Sequence, residues 1–549
     1  MKVLLSILFS TILTVGISQT NCDSLTYKIL MVGDSWSNFP VGFGSFENNL
    51  DRHGFTNIGM FSNTSDLSIN GAETHDFLTT TGITAIQNAL NANPNIEIVN
   101  LSIGGNDILN TWNNSMDSIA TDSLLDATML RIDSIITNIQ ALKPGIVIYM
   151  TGYDFANFGE VIQTYAAPTF HPFYARWNGM GQPDFLEMNK LLTRASDKFS
   201  VLANTDSKVQ YSNGLGLMQF LYGQSTALGV APSGTYAAGT VTFPGGRLDY
   251  PTPKSRMNNY GFFRDCFHLD TEGFDMFYKY HFEEYYLDYL RGNVDLSLTS
   301  EGMNNDGGVT STSTISASNV TIGNSTASGI SKGIVSFNTS SIPAGTAIHE
   351  ASIFLYRDNQ TGTLPVFNKV ILESKQGNFG TSTTLDFGDY NSSSDALDTA
   401  CTYGTVSENG FWLRISIPAS ILSQISTSGV TQFRISMIDS TDGNTLFFST
   451  GDSTNKPFMD IEYLNPTSIN SVVKENDISI YPNPTASNFI TITNFNSTNS
   501  AIKVVDVTGR VFHVTLEGNQ LDISTLSQGT YFILINSNEN LVTKRFVKL

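Results

Sequence analysis

Cysteine, histidine, charge and long apolar runs are all scarce in this chain, and each scarcity closes off a class of protein. The three cysteines, Cys22, Cys266 and Cys401, are odd in number and far apart. That excludes a disulfide framework or a C-x-x-C metal site, makes Cys22 incidental, and leaves stability to packed cores. The seven histidines show neither H-E-x-x-H nor paired metal spacing, so no metal and no cofactor is implied. Only 14% of residues are charged, with 29 Lys and Arg against 49 Asp and Glu, a formal net charge of −20. That sign argues against nucleic acid or anionic membranes as partners. After Gly16 no stretch is apolar over the roughly 20 residues that span a bilayer, so no transmembrane segment is expected.

The chain is 40% hydrophobic with 45 Gly and abundant Ser, Thr and Asn, a composition that suits secreted, turn-rich domains. Its length allows about three domains at roughly 150 residues each. Residues 1–20 read as a signal peptide: Lys2, the apolar run Val3 to Gly16, then small residues at Gly16-Ile17-Ser18. The chain is therefore expected to be exported.

From Thr26 to Gly292 short apolar runs alternate with helical segments. Strands are expected at Lys28–Val32, Asn57–Phe61, Ile96–Ile103 and Gly145–Thr151, and helices at Asp117–Leu142 and Phe185–Ala203. Alternation of β and α implies a parallel sheet covered by helices. The aromatic- and Gly-rich stretch Tyr165–Tyr250 fits that plan poorly and reads as insertions over a site.

Within this region KILMVGDSWSN (28–38) delivers Ser35 to the carboxyl end of the first strand, where open α/β sheets place their ligands. Gly-Asp-Ser is also an ordinary turn and helix N-cap sequence. LSIGGNDILN (101–110) leaves the third strand in the same way, at Asn106, and SINGAETHDF (68–77) puts Gly71 in a turn where a backbone N–H can approach a ligand. Asp265 and His268 lie three apart before an amphipathic helix, a spacing that lets a carboxylate orient one imidazole nitrogen while the other faces outward. His75 reads as a helix-surface histidine and Cys266 as packing.

GDSW (33–36), the Gly71 turn, GGND (104–107) and DCFH (265–268), in that order, resemble the blocks of the SGNH hydrolases, also called the GDSL esterase/lipase superfamily, over roughly 26–292. The resemblance implies a flavodoxin-like three-layer α/β sandwich with a parallel sheet. It implies Ser35 as nucleophile, His268 as general base and Asp265 as its orienting carboxylate. The oxyanion hole would comprise the Ser35 and Gly71 N–H groups and the Asn106 amide. Trp36 departs from the leucine usual after the serine, and the NGAETHD block is only loosely similar.

A Ser/Thr/Asn/Gly shift at 293–308, including NNDGG, marks a linker; Ca²⁺ ligation is an alternative to turn chemistry for that pentapeptide. Residues 309–463 carry recurrent alternating segments such as GIVSFN, ASIFLY and QFRISM, an all-β sandwich pattern. The stretch IVSFNTSSIPAGTAIHEASIFLYR resembles β-sandwich modules of bacterial extracellular polysaccharide-active enzymes, and carbohydrate binding and a plain spacer both remain open. A second linker spans 464–475. Residues 476–549 form a small all-β domain whose YPNP, DVTGR, QGTY and KRFVKL motifs resemble the type A C-terminal sorting domain of type IX secretion cargo in Bacteroidetes. That resemblance implies the type IX machinery as a partner and a secreted or cell-surface location. The expected activity is hydrolysis of carboxylic esters, with acyl groups on a polysaccharide favoured. A lipase or lysophospholipase is the enzymatic alternative, and a non-catalytic surface glycan-binding protein or adhesin the alternative of another class.

Overall fold

The computed structural model describes residues 22, 24–302, 304–363, 368–404, 408–438, 443–464, 479–483, 485–493, 500–506, 511–512, 514–537 and 540–548. The expected signal peptide at 1–20 and the second linker beyond Leu464 lie outside them, as do Pro484 of YPNP and residues 507–510 of DVTGR. The chain divides into two compact units, residues 1–464 and 465–549.

In the first unit five parallel strands, β1 (Thr26–Gly33), β2 (Ile58–Phe61), β3 (Ile98–Ser102), β4 (Val147–Thr151) and β5 (Val209–Ser212), lie in the order β2-β1-β3-β4-β5. This is the flavodoxin-like order, in which the direction of winding across the sheet reverses between β1 and β3. Both faces are covered. Ile29 and Met31 of β1 enter a core on one side with Tyr149, while Leu30 and Val32 enter the core on the other with Val99 and Ile148. That two-sided burial explains why β1 reads as a continuous apolar run rather than an alternating one.

The covering helices begin where carboxylates meet free backbone N–H groups. Asp34 caps Ser35–Phe43, Asp117 caps Ser118–Leu142, and Asp184 with Glu187 forms a capping box on Phe185–Ala203. The long helix 118–142 buries Leu125, Ile132, Ile136 and Ile139, one stripe at helical spacing. A two-stranded hairpin, β6 (Met257–Tyr260) and β7 (Phe263–Leu269), precedes the helix Thr271–His281.

The β-rich part of this unit is a twelve-stranded sheet system around a core that includes Val335, Ile353, Leu372 and Phe433. Two expectations are corrected here. The stretch expected as a linker, 293–308, carries strand β8 (Leu296–Thr299), which pairs with Phe458–Leu464. Asp306 of NNDGG is buried and accepts the backbone N–H of Ser336, Gly451 and Gly302, so its carboxylate anchors the chain. Cys22, taken as incidental, is bonded to Cys401, 379 residues away, and so ties the start of the α/β region to the sandwich. Arg414 adds to that junction by donating to the Gly54 carbonyl at 2.9 Å and to Asn57 at 2.6 Å. The α/β region and the sandwich thus form one unit.

The second unit consists of two four-stranded antiparallel sheets. Ile490, Ile492, Val504, Leu521, Ile533 and Phe546 form its core.

Buried titratable groups in the first unit make stability depend on pH. His281 is fully buried, its Nδ1 2.9 Å from the Tyr149 hydroxyl, and burial pushes its pKa down to about 3. A histidine whose folded pKa is depressed contributes stability above its unfolded value of about 6.5 and loses it as pH falls toward the folded value. Asp34 and Asp154, raised by burial to about 6, work with the opposite sign: they destabilise the fold as pH rises through that value. In His281→Phe the histidine's contribution vanishes while those of the aspartates remain. The variant is expected to gain about 2 kcal/mol relative to wild type on moving from about pH 7.5 to about pH 5. Denaturant midpoints at the two pH values check this; a difference that does not change with pH would sink it.

Candidate active site

The carboxyl ends of β1 and β3 lie side by side at the point where the sheet order reverses, and both end in glycine-containing polar turns. Gly33 has φ 150° and pairs with Ser102 of β3; a Cβ at Gly33 would lie 1.9 Å from the Ser102 carbonyl oxygen. Only glycine allows the two strands to end this close together. The next residue, Asp34, is held three ways. Its N–H donates to the Ser102 carbonyl at 2.8 Å, one carboxylate oxygen accepts the Trp36 N–H at 2.9 Å, and the other accepts the Tyr153 hydroxyl at 2.7 Å. Burial pushes the Asp34 carboxyl up to about 6, against the hydrogen bonds from Tyr153 and Trp36. Ser35 follows as the first residue of its helix.

The hairpin of β6 and β7 supplies the other half. His268 Nε2 is 2.7 Å from Ser35 Oγ, and His268 Nδ1 is 2.8 Å from Asp265 Oδ2. The remaining oxygen, Asp265 Oδ1, accepts the backbone N–H of Phe267 at 2.7 Å and of His268 at 2.9 Å. Burial alone would raise the Asp265 pKa. The hydrogen bonds and charge of His268 and the two backbone donors outweigh it, so the carboxyl stays below the usual range. Phe39 stacks on the imidazole with ring centres 4.6 Å apart, which fixes the ring from its free face. The Ser35, His268 and Asp265 side chains therefore form one continuous hydrogen-bonded relay.

Gly71 and Asn106 line the same cavity from two other loops. The Asn106 amide donates to the Ala72 carbonyl at 3.0 Å, and Gly71 has φ 80° in its turn, with open space where a Cβ would project. Asp107 joins these two loops: it accepts from Thr74 N–H and Oγ1 at 2.9 and 2.5 Å and from Arg131 at 2.9 Å. Ser35, Gly71, Asn106, Asp265 and His268 line one cavity of about 470 Å³.

The same cavity includes Phe173, Arg176 and Tyr260, none of which the sequence reading singled out. Tyr153 was missed too, although it leaves β4 in the segment TGYD, a fourth polar strand end that repeats the signal of the first and third. Its hydroxyl accepts the Gly105 N–H at 2.7 Å while donating to Asp34, so it links the Ser35 loop to the Asn106 loop. His75 is exposed beside Glu73 and Asp76 and is not among the cavity residues. Cys266 is buried, and burial raises its thiol pKa. Trp36 is buried beneath the site, edge-on to Tyr153, Phe267, Phe274 and Phe277. The departure at that position is thus absorbed by an aromatic core.

Residues 479–549 match the family model of the secretion system C-terminal sorting domain. A search of curated proteins found no match. Among solved structures the chain is similar to a carbohydrate esterase family 3 protein from Talaromyces cellulolyticus (9% identity, 49% of this chain and 99% of that one, TM-score 0.28). It is similar to a phospholipase A1 from Streptomyces albidoflavus (14% identity, 48% and 99%, TM-score 0.26) and to a GDSL-like lipase from Bacteroides thetaiotaomicron (14% identity, 47% and 88%, TM-score 0.25). At those identities and scores the functional reading rests on the geometry of the site. No helix of the described residues is long and apolar enough to cross a membrane.

Proposed function

We propose that this chain is an exported serine hydrolase of carboxylic esters. The observation that carries the reading is the relay from Ser35 Oγ through His268 to Asp265, with contacts of 2.7 and 2.8 Å. A serine hydroxyl is a weak nucleophile until a neighbouring base takes its proton. Ser35 attacks the acyl carbon as His268 Nε2 accepts that proton, and Asp265 holds the imidazole and stabilises its charged form. The oxyanion meets the N–H groups of Ser35 and Gly71 and the second N–H of the Asn106 amide. His268 then protonates the departing alcohol, and water, activated by the same imidazole, releases the acid. The sorting domain directs export through the type IX machinery to the cell surface or medium.

The substrate we favour is an acyl group, acetyl above all, on a polysaccharide, because the site opens on a wide cavity and the domain is fused to a β-sandwich. A lipase-type reading is supported by the apolar side chains of Phe39, Leu109, Phe158, Phe173 and Phe267 around the cavity. Hydrolysis of 4-nitrophenyl acetate, 4-nitrophenyl palmitate and acetylated xylan by the full chain separates them. Turnover of the short ester and of xylan acetate supports the first reading, and turnover of the palmitate alone supports the second. Binding of glycan with no turnover of any ester would favour the glycan-binding alternative and overturn the hydrolase reading.

The oxyanion role of Asn106 has its own test. Asn106→Ala removes a neutral donor that does not titrate, and kcat is expected to fall on the order of 10²–10³-fold with KM little changed. Steady-state kinetics on 4-nitrophenyl acetate measure this, and an unchanged kcat would remove the residue from the oxyanion hole.

A further inference from the structure

Eight arginines lie between residues 26 and 292, and seven of them pair with a carboxylate or donate to a backbone carbonyl. Arg52 reaches Asp275 at 2.9 Å, Arg131 reaches Asp107 at 2.9 Å, and Arg264 reaches the Met257 carbonyl at 2.7 Å. The eighth is Arg176. It sits half-buried on the short helix Tyr174–Gly179 and lines the same cavity as Ser35 and His268. Among the described residues its guanidinium makes no hydrogen bond and no ion pair. The acid whose charge acts on it most is Glu73, but the Glu73 oxygens are engaged by Asn110 at 2.6 Å and His75 at 3.4 Å.

A guanidinium partly removed from water without a partner is unfavourable, and the planar fork matches a carboxylate with two parallel hydrogen bonds. In a chain with 49 acidic side chains, leaving this one cation unpaired inside the cleft reserves it for something that enters the cleft. Phe173 and Tyr260, with ring centres 6.0 Å apart, give the same cavity an aromatic wall against which a sugar ring or short chain can lie. A cavity of about 470 Å³ has room for a small ester group together with a carboxylate on the same molecule.

We infer that Arg176 is a specificity-determining residue that seats a carboxylate of the substrate, carried either by the acyl half of the ester or by its alcohol half, while the ester carbonyl lies at Ser35. The formal charge of −20 opposes a polyanion at long range, so the recognition is of one local carboxylate. The inference rests on the hydrolase reading above and deepens it by naming the substrate class.

The test uses two matched pairs on the full chain. 4-Nitrophenyl hydrogen succinate against 4-nitrophenyl butyrate places the carboxylate in the acyl half. O-acetylated galacturonic acid against O-acetylated galactose places it in the alcohol half. Wild type is expected to favour the anionic member of one pair by tenfold or more in kcat/KM, and the responding pair identifies the half. Arg176→Gln is expected to cut that ratio at least tenfold through KM, and Arg176→Lys, which keeps the charge but not the fork, to restore part of it. A ratio near one in wild type for both pairs, or a ratio that Arg176→Gln leaves intact, overturns the inference. If no ester is turned over, the hydrolase reading fails by itself. Calorimetric titration of succinate and galacturonate into the Ser35→Ala protein then decides the Arg176 inference. Binding that is lost on adding Arg176→Gln upholds it, and absence of binding overturns it.

Discussion

Ser35→Ala is expected to lower kcat for ester hydrolysis on the order of 10⁵–10⁶-fold while leaving the fold intact. The two halves of that expectation come from different contacts. The hydroxyl reaches one side chain, His268 at 2.7 Å, so removing it deletes the nucleophile without breaking a structural bond. What holds the turn in place is the neighbouring residue. Asp34 keeps its bonds to Ser102, Trp36 and Tyr153 in the variant, and alanine is at least as good as serine at the start of a helix. The midpoint of unfolding should therefore move by less than about 1 kcal/mol, as for a substitution that breaks no cap and opens no cavity. A fluorophosphonate probe gives an independent readout: mass spectrometry should find one adduct, on Ser35, in wild type and none in the variant. Retained hydrolysis in a well-folded Ser35→Ala protein would show that another group attacks the ester.

The parts of this site that were legible in the sequence carried one of two local signals. β1 and β3 are apolar runs that stop at glycine, and their ends carry Ser35 and Asn106, while the Asp265–His268 pair stood out by its spacing of three just before an amphipathic helix. The fifth strand, Val-Gln-Tyr-Ser at 209–212, was not legible because it sits at the edge of the sheet and three of its four side chains are only partly buried. The Cys22–Cys401 bond spans 379 residues, and no local pattern encodes a pairing at that distance. β8 lies in a Ser/Thr-rich stretch that looks like linker; its alternating Leu296 and Leu298 are short of the length that periodicity needs. Arg176 and Tyr260 were hidden for a different reason. They come from a six-residue helix inside the insertion and from a hairpin tip, where side-chain direction depends on the packing of the whole insertion and not on a repeat.

Tyr153 shows how a site can be wired through a residue that does not line its cavity. It joins the turn after β1 to the turn after β3 by two hydrogen bonds of 2.7 Å from one hydroxyl. The turns that carry Ser35 and Asn106 are thereby tied to one side chain just past the end of β4. Asp107 does the same between the third strand's turn and the Gly71 loop. Prearranged donors are effective because they need no reorganisation when charge develops on the substrate oxygen. The rigidity required for that is supplied by groups that are neutral or fully paired.

Asp265→Asn is expected to reduce kcat on the order of 10⁴-fold although the substitution is nearly isosteric. The reason lies in how the carboxylate is divided. Oδ1 accepts two backbone N–H groups, from Phe267 and His268, and Oδ2 faces His268 Nδ1. An amide has one oxygen. If its nitrogen faced the two backbone donors, three N–H groups would meet without an acceptor, which costs about 1–3 kcal/mol per buried unsatisfied group. The oxygen of the introduced asparagine must therefore stay with the backbone, and its NH₂ is turned toward Nδ1. That arrangement is satisfied only when Nδ1 is unprotonated, which puts the imidazole proton on Nε2, the atom that has to accept the Ser35 proton. The base is present at the right distance in the wrong tautomer. Asp265→Ala removes the constraint along with the charge, so it should be the less damaging of the two at the tautomer step and the more damaging to stability. Comparing kcat and unfolding midpoints for Asp265→Asn and Asp265→Ala tests this division. Equal activity of Asp265→Asn and wild type would mean that His268 does not need its Nδ1 proton held in place, and the relay would lose its orienting member.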